Sequence, residues 1–141
     1  MLNAITTRAF CAADYDAVVQ LWQAAEGVEI AEGDDRETIT AYLDRNPGLS
    51  RVAIRDTEVA AAFLCGHDGR RGLIYHLAVQ VEFRRHGLGQ RLVSECLAGL
   101  REAGLKRALI LVARENAAGR EFWLGRGFEE ISGALPLGID L

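Results

Sequence analysis

Three observations predict a mixed α/β fold for this chain. The apolar run from Leu73 to Val81 leads into a segment where Leu92, Val93, Cys96, Leu97 and Leu100 recur at steps of three and four residues, the spacing of one helix face. After Gly104 comes a second apolar run, Ala108 to Ala113, so strand, helix and strand make one right-handed βαβ unit with a parallel strand pair. Upstream, Ser50 to Arg55 and Glu58 to Cys65 flank Asp56-Thr57 in the manner of a hairpin, which adds antiparallel pairing. A chain of 141 residues, 50% of them hydrophobic, has the size of one domain, and no repeat, low-complexity stretch or linker divides residues 1–141.

The remaining elements follow in order. Ile5 to Phe10 reads as a first strand. Ala13 to Ala25 is an amphipathic helix with Val18, Leu21, Trp22 and Ala25 turned inward. Gly27 to Asp35 is a loop, and Arg36 to Asn46 a short helix stopped by Asn46-Pro47-Gly48. The polar stretch Gly66 to Gly72 separates the hairpin from the strand that ends at Val81. The helix from Leu88 to Ala103 closes at Gly104, a C-cap. Ala108 to Ala113 is apolar throughout, as a strand covered on both faces should be. Asn116 to Arg126 is helical, and Phe128 to Ser132 and Leu137 to Leu141 are expected as closing antiparallel strands.

The junction between the apolar strand and its helix is the most informative part of the sequence. It reads Arg84-Arg85-His86-Gly87-Leu88-Gly89-Gln90. Glycine there allows positive φ and a close approach of ligand to bare main chain. Free N–H groups and the positive end of the helix dipole favour a phosphate, and two arginines add fixed positive charge. The stretch therefore predicts a pyrophosphate cradle. A nucleotide P-loop is excluded, since no Gly-x4-Gly-Lys-Ser/Thr run occurs and Lys106 is the only lysine. A dinucleotide fingerprint would need a third glycine where Leu92 stands, although Glu115 could imitate its acidic ribose partner.

Arg84-x-x-Gly87-x-Gly89 after Leu77-Ala78-Val79 resembles the coenzyme A loop of the GNAT superfamily of N-acetyltransferases. A later segment, Asn116-x-x-Gly119-x-x-Phe122-Trp123-x-x-x-Gly127-Phe128, resembles that family's Asn-x-x-Ala-x-x-Phe-Tyr-x-x-x-Gly-Phe motif. Gly119 and Trp123 depart from it. Thr7-Arg8-Ala9-Phe10, Asp14 and Val18 to Trp22 resemble a GNAT opening strand and first helix. Leu21-Trp22 and the Gly66 to Gly72 loop are similar to small bacterial members of the YpeA type. The resemblance covers nearly the whole chain. It implies a GNAT fold: a mixed, mostly antiparallel sheet with a splayed central parallel pair and about four helices. It also implies acetyl-CoA as co-substrate, with the Leu77, Ala78 and Val79 backbone alongside pantetheine and polarising the thioester. Main-chain N–H groups of Arg85, His86, Gly87, Leu88, Gly89 and Gln90 would hold the pyrophosphate. Arg84 and Arg85 either touch phosphate or are solvated charge. Asn116 either bonds pantetheine or caps its helix, and Trp123 falls at a cofactor-side position.

Charge suggests the nature of the acceptor. Gln80 to Gly127 holds nine basic and five acidic residues, whereas the rest holds seven basic and fifteen acidic. Glu26, Glu29, Glu32, Asp34, Asp35 and Glu37 crowd one stretch answered only by Arg36. A basic half suits an anionic cofactor, and an acidic loop suits a cationic amine; a solvated linker is the plainer reading of the loop. No basic stripe with interleaved aromatics supports a nucleic-acid role. The longest apolar runs are too short to span a bilayer, and Met1 to Phe10 lacks a signal pattern. Cys11, Cys65 and Cys96 form no CxxC pair, which suits free thiols in a reducing cytoplasm. His67, His76 and His86 lack ligand-like spacing, so no metal is expected. The family's habit leaves a homodimer open.

Proton chemistry is where the chain departs most from its relatives. Many carry a tyrosine at the Trp123 position to protonate the leaving thiolate, which an indole N–H cannot do. Others carry a glutamate at the position of Leu111. Tyr75 and His76 on the cofactor strand are the nearest catalytic candidates. Alternation puts Tyr75 with Leu73, Leu77 and Val79, and His76 on the opposite face. The sequence is thus read as an N-acetyltransferase in which a primary amine attacks the thioester directly. A non-catalytic acyl-CoA-binding or sensor domain is the alternative.

Overall fold

Runs rich in β-branched and apolar residues in the first half of the chain become neighbouring strands. In the computed structural model, which describes residues 4–141, these are β1 (Ile5–Ala9), β2 (Arg51–Arg55), β3 (Glu58–His67) and β4 (Gly72–Val79). They pair antiparallel in sequence order, and β5 (Ala108–Ile110) adds a parallel edge to β4. The helices are α1 (Tyr15–Ala24), α2 (Arg36–Arg45), α3 (Leu88–Glu102) and α4 (Ala117–Leu124). The expected mixed, mostly antiparallel sheet with a parallel pair and four helices is present.

By contacts the chain divides into two units, one ending at Leu111 and the other covering Val112–Leu141. In the first, α1 packs Val18, Leu21 and Trp22 against Val52, Ala62, Leu64 and Ala78 of the sheet, with Phe10 and Ile39 completing that core. The other face receives α3, whose Leu88, Leu92, Val93, Cys96 and Leu100 are buried. Each leucine or valine among them contributes about 1.5–3 kcal/mol on removal from water. Glu95 ties α3 to the sheet: it accepts from Thr7 Oγ1 at 3.0 Å and Arg51 Nε at 3.1 Å, with Arg91 Nε at 3.4 Å. Cys96 meets Cys65 across the α3 face, and this hydrogen bond together with burial pushes the Cys96 thiol up.

Local chemistry sets the helix starts. Asp35 caps α2 by accepting from Thr38 N–H at 3.1 Å, satisfying a donor the helix cannot pair. Ahead of α1, Asp14 accepts from Arg8 at 2.7 and 2.8 Å and from the Cys11 N–H at 3.0 Å. The Arg8 guanidinium foremost, then the Cys11 N–H, hold this buried carboxyl below its usual range.

The parallel ladder is short. It runs from Gly72↔Ala108 to Ile74↔Ile110 and stops, while β4 continues through Val79. This is the splay the family resemblance implies. β5 covers half of the expected Ala108 to Ala113 strand, because Leu111 is 67% exposed and the chain leaves the sheet there. In the second unit, Phe122, Trp123 and Phe128 form edge-to-face ring pairs at 5.3 and 5.0 Å. The strands expected over Phe128 to Ser132 and Leu137 to Leu141 are absent: both segments are irregular. Leu135, Leu137 and Ile139 are 78%, 95% and 86% exposed. Apolar alternation gives a strand only where another strand supplies the ladder, and none pairs with them here.

The Asp14 contacts yield a prediction with a definite sign. A carboxyl whose folded pKa is depressed stabilises the fold above its unfolded pKa near ~3.9, and that contribution disappears as pH falls through the folded value. Asp14→Asn should therefore cost about 1–2 kcal/mol at pH 7, kept modest by the half-exposed Arg8 partner. Urea unfolding of both proteins should show the gap closing below about pH 4.

Candidate functional site

The site is built on the free part of β4 and the start of α3. β3 and β4 pair regularly from His67↔Gly72 to Leu64↔Tyr75, and again from Ala62↔Ala78. Between these, His76 and Leu77 stand against Phe63 alone, so β4 carries a bulge. His76 has φ +55°, a conformation that costs a non-glycine residue roughly 1–2 kcal/mol. The bulge overturns the alternation expected for this strand. Tyr75 packs against the α1-side core, and the His76 ring meets Trp22 of α1 edge-on at 4.9 Å. Both side chains therefore lie on the α1 side, because the extra residue breaks the period of two.

His76 has a partner that periodicity could not reveal. Its Nε2 lies 2.9 Å from Asp34 Oδ2, and the side chains are only 18% and 12% exposed. Asp34 comes from the acidic loop, where it alone is buried among the six acids. Its carboxylate also accepts from Ala31 N–H at 3.1 Å, while its carbonyl accepts from Tyr15 Oη at 2.6 Å. The acidic loop is thus pinned to β4 by one of its own acids. Burial raises the Tyr75 phenol above its ordinary value, so Tyr75 stays protonated at neutral pH and suits donation better than acceptance.

Beyond Val79 the chain makes a 3-10 turn, Val81–Phe83, anchored by buried Phe83. Arg84 turns back, its Nε donating to the Val79 carbonyl at 2.8 Å. Arg85 takes φ +63° and Gly87 φ +83°. Gly87 is the N-cap of α3 and offers no side-chain acceptor. The first helical bond runs from Arg91 N–H to the Gly87 carbonyl at 3.0 Å, so the N–H groups of Leu88, Gly89 and Gln90 have no intrahelical partner. Arg85 and His86 are exposed and have no ion pair among the described residues. A helix start with unpaired N–H groups and a cation beside it has the geometry that favours an anion. The two glycines differ: Gly87 needs its positive φ, whereas Gly89 lies inside α3 with ordinary helical φ, contrary to the expectation for both.

Asn116 and Trp123 belong to the second unit. Asn116 Oδ1 accepts from Gly119 N–H at 3.0 Å, a helix cap. A Cβ at Gly119 would come within 2.4 Å of Asn116 Nδ2, so glycine at this departure from the motif makes room for the cap. Trp123 is buried. Among the described residues, no group of three or more His, Cys, Asp or Glu could hold a metal ion, and no helix is long and apolar enough to cross a membrane.

Comparison with known proteins agrees with this geometry. The model of the "Acetyltransferase (GNAT) family" matches residues 15–128. Acetyltransferase ECA0875 of Pectobacterium atrosepticum is 30% identical over 111 residues, covering 79% of this chain and 78% of the relative. Ard1 from Thermoplasma volcanium superposes with a TM-score of 0.81 at 22% identity, covering 92% of this chain and 85% of the other. An aminoglycoside acetyltransferase, meta-AAC0020, from an uncultured soil metagenomic sample and in complex with sisomicin, gives a TM-score of 0.75 at 16% identity, with 98% of each chain covered. These likenesses in structure show a shared fold.

The two loop glycines should separate in stability measurements. Gly87→Ala places a Cβ in the left-handed region and should cost about 1 kcal/mol or more, although the space around it is open. Gly89→Ala keeps helical geometry and should leave stability equal or raise it by up to about 1 kcal/mol. Denaturant midpoints of the two variants check the distinction.

Proposed function

The chain belongs to the acetyltransferase (GNAT) family, and on that premise we propose that it transfers acetyl from acetyl-CoA to a primary amine. The observation that carries this reading is the α3 start, with its unpaired N–H groups beside Arg85 and directly downstream of the free edge of β4. The pyrophosphate fits the N–H groups of Leu88, Gly89 and Gln90, with Arg85 as counter-charge. The pantetheine arm then runs back along Val79, Ala78 and Leu77, where β4 has no β5 partner. Main-chain donors at the bulge polarise the thioester carbonyl and hold the oxyanion that develops on attack. The amine nitrogen forms the new C–N bond, the C–S bond breaks, and CoA leaves as a thiolate. A thiol with an ordinary pKa of about 8.5 departs without a dedicated acid, which makes Trp123 compatible with turnover. The family model spans both units, in keeping with residues 1–141 serving as one acetyltransferase domain. Free thiols at Cys11, Cys65 and Cys96 suit a cytoplasmic setting.

The acceptor is proposed to be cationic. Glu26, Glu29 and Glu32 are exposed on the loop that Asp34 fastens to β4, so their field acts on whatever approaches His76. The sisomicin-bound relative in fold is an example of an acetyltransferase meeting an amine-rich ligand.

Two measurements test these readings. Calorimetry should show acetyl-CoA binding that weakens about tenfold in Arg85→Ala, with a shallower salt dependence. Gly89→Ala, neutral for stability, should also weaken it, because a Cβ there obstructs close approach to the N–H groups. Thiol release from acetyl-CoA with a panel of amines should rise toward alkaline pH. Binding without any release at pH 9 would replace the enzyme with an acyl-CoA-binding sensor. Replacing Glu26, Glu29 and Glu32 by glutamine should raise the acceptor KM several-fold at low salt and leave acetyl-CoA affinity alone. That difference should fade at high salt, where charges are screened beyond about 3 Å at 1 M; wild-type KM at low salt would show the loop to be inert.

A further inference from the structure

We infer that His76 and Asp34 form a proton-accepting pair in which Asp34 positions the imidazole and His76 takes the proton of the incoming amine. The inference rests on the acetyl-transfer reading and deepens it, since neither family position that commonly supplies proton chemistry does so here: Leu111 and Trp123 cannot titrate.

Geometry supports the assignment at three points. His76 occupies the bulge one residue past Tyr75, where β4 has already lost β5, so it adjoins the backbone along which the thioester is placed. Its ring is oriented by contacts on separate elements: Asp34 from the acidic loop at 2.9 Å, Trp22 of α1 at 4.9 Å and Tyr75 of β4 at 6.3 Å between ring centroids. Among the described residues, the titratable side chains in contact with the ring are Asp34 and Tyr75, and Tyr15 stands behind Asp34 with its Oη on the Asp34 carbonyl. Trp22 itself is fully buried, and its Nε1–H has no acceptor among the described residues. Lastly, a left-handed backbone at a histidine inside a strand is strain, and such strain persists where surrounding contacts over-determine it, often at functional sites.

The tautomer follows from the partner. A carboxylate only accepts, so Nε2 carries the hydrogen toward Asp34 and neutral His76 presents its lone pair on Nδ1. An ammonium acceptor gives one proton to Nδ1, directly or through water, and becomes the free amine. The amine attacks the thioester carbon and the C–N bond forms. The second proton, shed from nitrogen as the C–S bond breaks, neutralises the CoA thiolate. His76 then returns its proton to solvent. Asp34 stabilises the imidazolium that exists in between and does not change its own protonation.

His76→Asn is the informative variant, because Asn tolerates positive φ better than most residues and its amide cannot accept a proton. It also gives up the Asp34 bond, since the shorter side chain ends where Nδ1 stands, and Asp34→Asn measures that loss separately. General-base assistance contributes about 10²–10⁴-fold. At pH 7, kcat/KM of His76→Asn should therefore fall about 100-fold or more, with acetyl-CoA affinity unchanged by calorimetry. The pH dependence of the rate in His76→Asn should differ from that of wild type and follow free amine alone. Asp34→Asn should lose at least about tenfold by the same assay, as expected when a histidine loses the group that fixes its tautomer. Nitrogen NMR of ring-labelled histidine should show His76 as the Nε2–H tautomer in wild type and a mixture in Asp34→Asn. A wild-type pH profile in His76→Asn, loss of acetyl-CoA affinity together with rate, or an Nδ1–H tautomer in wild type would each overturn the pair. Failure of wild type to turn over any amine strikes instead at the acetyl-transfer reading, while the NMR result judges the pair separately.

Discussion

The bulge in β4 is the constraint on which the rest of the site depends. A regular strand would turn His76 away from α1 and keep Tyr75 to Val79 in step with β3 on a fixed alternation. One extra residue opposite Phe63 re-aims the His76 side chain, while the short ladder to β5 leaves Leu77 to Val79 on a free edge. The positive φ at His76 opposes folding by roughly 1–2 kcal/mol. It is offset by contacts made only in this conformation, the Asp34 bond and the Trp22 face among them. The bulge therefore couples the sheet to the acidic loop, and the same residue that strains the strand holds the loop in place.

The second half of the site depends on how firmly α3 is seated. Its start can act as an anion cradle only if Leu88, Gly89 and Gln90 cannot relax toward other partners. Buried Leu88 and Leu92 fix the first turn from below, and buried Phe83 fixes the preceding 3-10 turn. The Arg91 guanidinium donates to the Ile5 carbonyl at 3.2 Å, while Glu95 joins the helix to β1 and β2. Arg84 secures the end of β4 through the Val79 carbonyl. Of the two arginines in the motif, one is thus occupied in structure and the other is left to meet solvent or ligand.

What could be read from the sequence was what local spacing encodes. Three- and four-residue steps gave α3, continuous apolar runs gave β3, β4 and the start of β5, and the glycine-containing junction gave the helix start with its unpaired donors. Three features lay beyond that reach. The bulge is invisible to alternation, which assigns faces only in regular strands. The Asp34–His76 contact joins residues 42 apart, and nothing in the acidic run marks Asp34 as its one buried member; the signal available was only that a histidine on the strand and an acidic loop both needed partners. The roles of Gly87 and Gly89 separate only once the N-cap is located. The tail from Leu137 to Leu141 shows the reverse case, a strand-like pattern in irregular backbone, since a strand is defined by its neighbour.

Under the proposed function, one acyl-CoA molecule is held jointly by the free edge of β4 and the N-terminus of α3. Residue-resolved amide hydrogen exchange with and without saturating acetyl-CoA tests it most directly, because the contacts involve main-chain N–H groups. Slowed exchange is expected at Leu77 to Val79 and at Arg85 to Gln90 together, with β1 and β2 unchanged. Protection confined to other segments, or at only one of these two, would contradict it.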